Sequence, residues 1–182
     1  MEYRKAVTLK DGRKCVLRSC TEQDGRDVLD NFILTHSQTD FLLSCPDEIS
    51  FTPEDEEKYL KDKAESAHEI EILAEVGGVV IGTAGVERVG ARSKVKHRAS
   101  FGISVDKNFW GLGVGRYLTE ACIECAKTMG YVQLELEVVS ENERAVALYK
   151  SMGFTEYGRN PLGFRSPVSG WQELLLMRLT LG

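Results

Sequence analysis

A mixed α/β fold (an α+β mixed sheet) in one domain over residues 1–182 is what the sequence predicts, on three observations. Short runs rich in β-branched residues alternate with glycine turns, the texture of antiparallel strands. Two early stretches of helical apolar spacing interrupt them. A later strand–helix–strand unit over about 98–139 adds one crossover to the antiparallel start.

Taken in chain order, Asp11-Gly12 lies between VTL and CVLRS as a hairpin signal, so the chain opens with a strand pair or one bent strand. Thr21 stands three residues before Asp24 as a helix-start box, and Val28, Leu29, Phe32 and Ile33 repeat at helical spacing, which predicts a helix over about 22–36. Pro53 and the acids of PEDEEKYLKD open a second, mostly exposed helix. EIEILAEV and VVIGTAGVERV are strands joined at Gly77-Gly78, and RASFGISV is a third. Val114, Leu118, Cys122, Cys125 and Met129 share a helical stripe that stops at Gly130. YVQLELEVV alternates as a strand does. Ser140 and Glu143 form a capping box for a helix through Ala145, Leu148, Tyr149 and Met152, closed by Gly153. Segments around 154–158 and 171–180 end the chain as a strand pair.

Bulk properties exclude several function classes. A hydrophobic fraction of 42% and a charged fraction of 28% describe an ordinary globular protein. The net charge of −5 argues against general nucleic-acid binding, and the basic run Arg88, Arg92, Lys94, Lys96, Arg98 has no interleaved aromatics, so it reads as a solvated hairpin loop. The amino terminus has no apolar core of signal-peptide length, and no stretch reaches the roughly 18 apolar residues of a membrane span, so the expected location is cytoplasmic. Five cysteines without framework spacing fit a reducing compartment. Cys122 and Cys125 make a CxxC, but no second pair or nearby histidine completes a metal set, and both fall on the apolar stripe. The three histidines occupy no catalytic frame.

Residues 109–116 read FWGLGVGR, with Gly111, Gly113 and Gly115 directly ahead of that stripe. Glycine lets its N–H approach a ligand closely, and a helix start offers unpaired N–H groups at the positive end of the dipole. An anion seat follows, with phosphate as its usual occupant. Three loop designs compete. The nucleotide-triphosphatase loop needs GxxxxGKS/T, and no Lys-Ser or Lys-Thr follows here. The dinucleotide fingerprint needs GxGxxG, whereas Arg116, Tyr117 and Leu118 follow these glycines. Glu135 does stand 20 residues past Gly115, at the ribose-acid spacing, but its neighbour Glu137 assigns both acids to one polar strand face. The third design is a strand, a short link, a glycine turn opening a helix, and then a strand and a helix carrying Asn and Tyr.

FWGLGVGRYL resembles the acyl-CoA pyrophosphate loop of the GNAT superfamily of N-acetyltransferases, Q/RxxGxG, and NERAVALYKSMGF resembles that family's second block, NxxAxxLYxxxGF. The clear match covers about 69–158 and is closest in style to uncharacterised bacterial and ribosomal-protein N-terminal members. Trp110 departs from the pattern, standing where the family has Gln or Arg.

The resemblance implies a mainly antiparallel sheet with a central splayed parallel pair flanked by helices. It implies acetyl transfer from acetyl-CoA, by direct attack, to a primary amine of a small molecule or of a peptide or protein amino terminus. The N–H groups of Gly111, Leu112, Gly113, Val114, Gly115 and Arg116 are then expected to cradle the pyrophosphate, and Ile103, Ser104, Val105 and Asn142 to hold the pantetheine arm. Tyr149 is placed near the thioester sulfur as general acid, and Val105 N–H near the carbonyl. A lysine-like amine costs about 4 kcal/mol to deprotonate at pH 7.4 at roughly 1.36 kcal/mol per unit. Glu137 is the first candidate for the base, with Glu135 and Glu87 as alternatives. Relatives that pair leave a homodimer open. The reading from another class is a non-catalytic acyl-CoA-binding sensor, in which Tyr149 is only core.

Overall fold

The structure, a computed structural model, describes residues 1–182 throughout. The opening hairpin is β1 (Arg4–Thr8) and β2 (Lys14–Ser19), closed through Asp11 and Gly12 as the sequence predicts. Thr21 N–H donates to Asp24 Oδ2 at 2.8 Å, and this box builds a 3₁₀ turn at Glu22–Asp24, so α1 starts later than expected, at Gly25–Ser37. Arg18 grips the same Asp24 carboxylate through both guanidinium nitrogens at 2.7 and 2.8 Å, tying the start of α1 to the sheet. α2 (Pro53–Glu65) is capped by Thr52, whose hydroxyl oxygen accepts from Asp55 N–H at 3.2 Å. Most of α2 is exposed, but Leu60 and Lys63 turn inward.

Next come β3 (Ile70–Val76), β4 (Val79–Arg88) and β5 (Arg98–Val105), then α3 (Val114–Thr128), β6 (Gln133–Val139) and α4 (Glu143–Ser151). The last hairpin is β7 (Thr155–Ser166) and β8 (Gly170–Thr180). β7 is much longer than the segment read from the sequence. Asn160–Gly163 carries a register shift against β8, and a bulge of that kind admits Pro161, which has no N–H for a ladder. The cap of α4 also differs: Asn142, not Ser140, accepts from the helix, at Ala145 N–H.

All eight strands form one sheet in the order β1-β2-β3-β4-β5-β6-β8-β7. Every neighbouring pair is antiparallel except β5 and β6, the two ends of the α3 crossover. α3 lies across β2–β5 on one face, and α1 and α2 lie over β3–β5 on the other. Cys122 and Cys125 are wholly buried in the core under α3 with Leu118, as their stripe predicts. A smaller core of Cys20, Val28, Leu60 and Leu73 seats α1 and α2. No helix is long and apolar enough to cross a membrane.

Candidate active site

β5 and β6 pair only from Arg98 to Ser100 against Gln133 to Glu135, and then separate. On its other side β5 stays paired with β4 as far as Val105. Val89 N–H donates to Arg98 C=O and Asp106 N–H to Ile81 C=O, which fixes the ladder's alternation: the even-numbered β5 residues bond β4 through their main chain. Ile103 and Val105 therefore turn their N–H and C=O groups into the gap, while the N–H of Phe101 closes the last rung to β6 at Glu135. Ser104 differs, because its main chain faces Thr83 and its side chain points to the face that carries α1 and α2.

The glycine loop lies at the end of that gap. Gly111 and Gly113 have φ of 80° and 101°, a region costly for residues with a Cβ, and Gly113 is the N-cap of α3. The N–H groups of Gly111, Gly113, Val114, Gly115 and Arg116 find no acceptor in the chain. Leu112 N–H instead bends back to Phe109 C=O at 3.4 Å, while Leu112 C=O accepts from Lys10 N–H at 3.1 Å. Five donors thus stand unpaired at, or just ahead of, the positive end of a 15-residue helix.

Trp110 closes the strand end: its indole N–H donates to Val105 C=O at 2.7 Å. The guanidinium of Arg144 lies 5.2 Å from the Trp110 ring centre and the Lys107 ammonium 6.0 Å, so two cations flank the loop. Arg144 escapes sequence reasoning because a cation in the first turn of a helix opposes the dipole, and nothing local explains it. Gln38 at the end of α1 binds both Asp106, at 2.9 Å, and Lys107 N–H, at 2.8 Å, which fixes the link between β5 and α3.

Tyr149 is 7% exposed, edge-on to Phe101 with ring centres 6.1 Å apart and 5.8 Å from Phe154. Burial raises its phenol above the ordinary range, with no protein group sharing the effect. Asn142 caps α4 through Oδ1.

The three acids read from the sequence fare differently. Glu135 is clamped by Arg98, with Nη2 to Oε2 at 2.7 Å, and by Gln133, and the Arg98 bond holds its carboxyl below the usual range. Burial would raise the Glu87 carboxyl, but Lys63 at 2.8 Å and the Tyr59 hydroxyl at 3.0 Å bring it below its ordinary value. Glu137 is exposed and in no ion pair, and register puts its side chain on the same sheet face as Ser104.

On that face a cavity of about 840 Å³ lies between α1, α2 and β3–β5. Its apolar wall includes Phe32, Phe51 and Leu42, and its floor includes Ser100, Gly102 and Ser104 of β5. Lys63, 4% exposed, reaches Glu71 at 2.9 Å as well as Glu87. Burial alone would lower the Lys63 pKa; Glu71, with Tyr59 and Glu87, raises it above the ordinary value. Glu71 lies flat over Gly85, where a Cβ would collide with the carboxylate.

The acetyltransferase (GNAT) family model matches residues 36–154, which include both the glycine loop and the Asn142–Tyr149 block. The ribosomal protein bS18-alanine N-acetyltransferase of Salmonella typhimurium is 48% identical over 83 residues, 44% of this chain and 54% of that protein. The N-alpha-acetyltransferase RimI of Mycobacterium tuberculosis is 34% identical over 113 residues, 62% of this chain and 68% of that protein. The chain therefore spans about half of the first relative and about two thirds of the second. The solved structure of a GNAT-family acetyltransferase from Streptococcus pneumoniae matches with a TM-score of 0.87 at 28% identity, over 91% of this chain and 99% of that one.

Proposed function

The chain belongs to the GNAT acetyltransferase family, and on that premise we propose that it moves an acetyl group from acetyl-CoA to a primary amine. The observation that carries the reading is the succession of two features along the chain: the edge of β5 that β6 leaves unpaired and, a short link later, five unengaged amides around the start of α3. An amide-bearing extended arm fits the first as a strand partner would, and a diphosphate fits the second. When bound, acetyl-CoA supplies an acetyl group already activated as a thioester. The names of the relatives, one acting on an alanine of a ribosomal protein, support an amino-terminal or similar primary amine as acceptor.

In this reading Gly111, Gly113, Val114, Gly115 and Arg116 hold the diphosphate by their N–H groups, with Arg144 and Lys107 adding charge beside them. Ile103 offers both main-chain groups to the arm. Val105 offers only its N–H, because Trp110 engages its carbonyl, and that N–H is directed at the acyl oxygen. Asn142 keeps its Nδ2 for the arm while Oδ1 caps α4.

The incoming amine must lose a proton to attack. Among the three acids, Glu137 is the one without an ion-pair partner, which supports it as base, directly or through water. Tyr149 remains a protonated phenol at every working pH and acts as a hydrogen-bond donor to the departing sulfur.

Calorimetry with coenzyme A, followed by thiol release from acetyl-CoA with a panel of primary amines, tests the proposal. Micromolar binding and amine-dependent thiol release are expected. Binding without turnover on any amine would leave a cofactor sensor, and no binding at all would remove the cradle.

A further inference from the structure

The cavity beside β5 carries a feature that acetyl transfer alone does not require. Asp55, Glu56, Glu71 and Glu87 line it against one ammonium, Lys63. His36 also lines it, and burial lowers its pKa, so it adds no lasting positive charge. Ser104, only 9% exposed, forms part of the cavity floor, and its Oγ is buried with no hydrogen-bond partner, so a turn about Cα–Cβ is what would offer it to a guest. A buried hydroxyl without a partner costs stability and marks a position for an external one.

We propose, building on the acetyl transfer above, that the cavity selects an amine carrying a second positive group: the reacting nitrogen at Ser104 Oγ, the second cation among the carboxylates of Glu56, Glu71 and Glu87. The amine that attacks is neutral at that moment, so it cannot be the charge that balances the acids. A second cation does so while the first nitrogen reacts.

Burial, reinforced by the nearby charge of Glu71, pushes the Glu56 carboxyl up to about 7, the behaviour of a carboxylate short of a counter-cation. Phe32, Phe51 and Tyr59 give the wall on which an alkyl linker packs.

The strand register sets the span. Glu71 pairs with Gly85, Gly85 with Gly102, and Ser104 lies two residues farther along β5. The Glu71 carboxylate sits over Gly85, one strand from β5. One strand spacing of about 4.8 Å and two residues of about 3.4 Å combine to roughly 8 Å between the two positions. A linker of about four to six methylenes covers that distance at tetrahedral geometry.

The test is thiol release from acetyl-CoA with α,ω-diamines of two to eight methylenes, each beside the monoamine of equal length. A parallel arm compares alanyl-lysine amide with alanyl-glutamine amide. The expected result is kcat/KM about tenfold higher for the dication in at least one arm, with a diamine optimum at four to six methylenes if the small-molecule arm carries it. The arm that responds tells a diamine from a peptide side chain as the source of the second cation. Glu56→Gln is expected to narrow the dication preference to within about threefold by raising KM for the dication. Ser104→Ala is expected to lower kcat/KM for all acceptors while the Kd for acetyl-CoA holds, because the main chain at that position is unchanged. Melting curves establish that both variants are folded.

Equal use of mono- and dications, or a dication preference untouched by Glu56→Gln, overturns this inference and leaves the acetyltransferase reading intact. Silence with every amine, despite bound acetyl-CoA, removes that reading and this inference together.

Discussion

Tyr149 is held by its aromatic neighbours. Its ring is locked between Phe101 and Phe154, so the phenol cannot swing away, and burial keeps it protonated. In the proposed reaction, a phenol held protonated contributes a hydrogen bond to the negative charge that develops on sulfur. Replacing the hydroxyl by hydrogen leaves the packing whole, because the oxygen holds no protein partner. Tyr149→Phe should lower kcat by about 10- to 100-fold, with the Kd for acetyl-CoA within about twofold. Steady-state kinetics and calorimetry check this, and an unchanged kcat would return Tyr149 to the core. Tyr149 and Asn142 stood out in the sequence through the resemblance of NERAVALYKSMGF to a family block, and the structure puts Asn142 at the cap of α4 and buries Tyr149. Ser104 as an orphan hydroxyl did not stand out: one serine in a strand becomes notable only after β4 takes its main chain and the cavity wall closes around its oxygen.

At the scale of elements, the divergence of β5 from β6 and the glycine entry to α3 are one device. The splay leaves main-chain groups unpaired along β5, and the loop that follows leaves the first amides of α3 without acceptors. Gly113 carries the sharpest backbone demand, with φ of 101°. Gly113→Val should weaken acetyl-CoA binding at least about tenfold and lower stability by about 1–3 kcal/mol, as titration and thermal melts would read. Gly102 tests the other side, since a Cβ there meets nothing within 4 Å and points into the cavity. Gly102→Leu should raise the acceptor KM strongly with the acetyl-CoA Kd unchanged; weakening of both would place the cavity on the cofactor path. Most elements were readable because apolar spacing, glycine turns and helix caps agree locally. The long β7 was not, because a bulge absorbs the Asn160–Gly163 stretch that locally signals a turn. The Lys63 cluster was hidden too, since PEDEEKYLKDK reads as a solvated face until α2 turns Lys63 onto β3 and β4.

Over the whole molecule, two sets of acids pull stability in opposite directions with pH. Asp24 and Glu135 have folded pKa values below their ordinary ones. For Asp24, burial alone would raise the value, but Arg18 and Thr21 outweigh it; for Glu135, the Arg98 bond is the leading cause. Such groups stabilise the fold above their unfolded pKa, and the contribution is lost as pH falls through the folded one. Glu56 runs the other way: its folded value of about 7 lies above the ordinary 4.5, so between those values the folded state binds the extra proton. Stability from this group falls as pH rises through that window and stays low above it. Of these three groups, Asp24 and Glu135 lose their contribution as pH falls, and Glu56 loses its own as pH rises toward about 7. Glu56→Gln cannot ionise, so it should match the parent protein's melting temperature at pH 4.5 and exceed it at pH 8. Differential scanning fluorimetry at the two pH values measures the difference. A variant no more stable than the parent at pH 8 would mean that Glu56 meets no charge penalty in the folded chain, and that the cavity acids are already balanced without a guest.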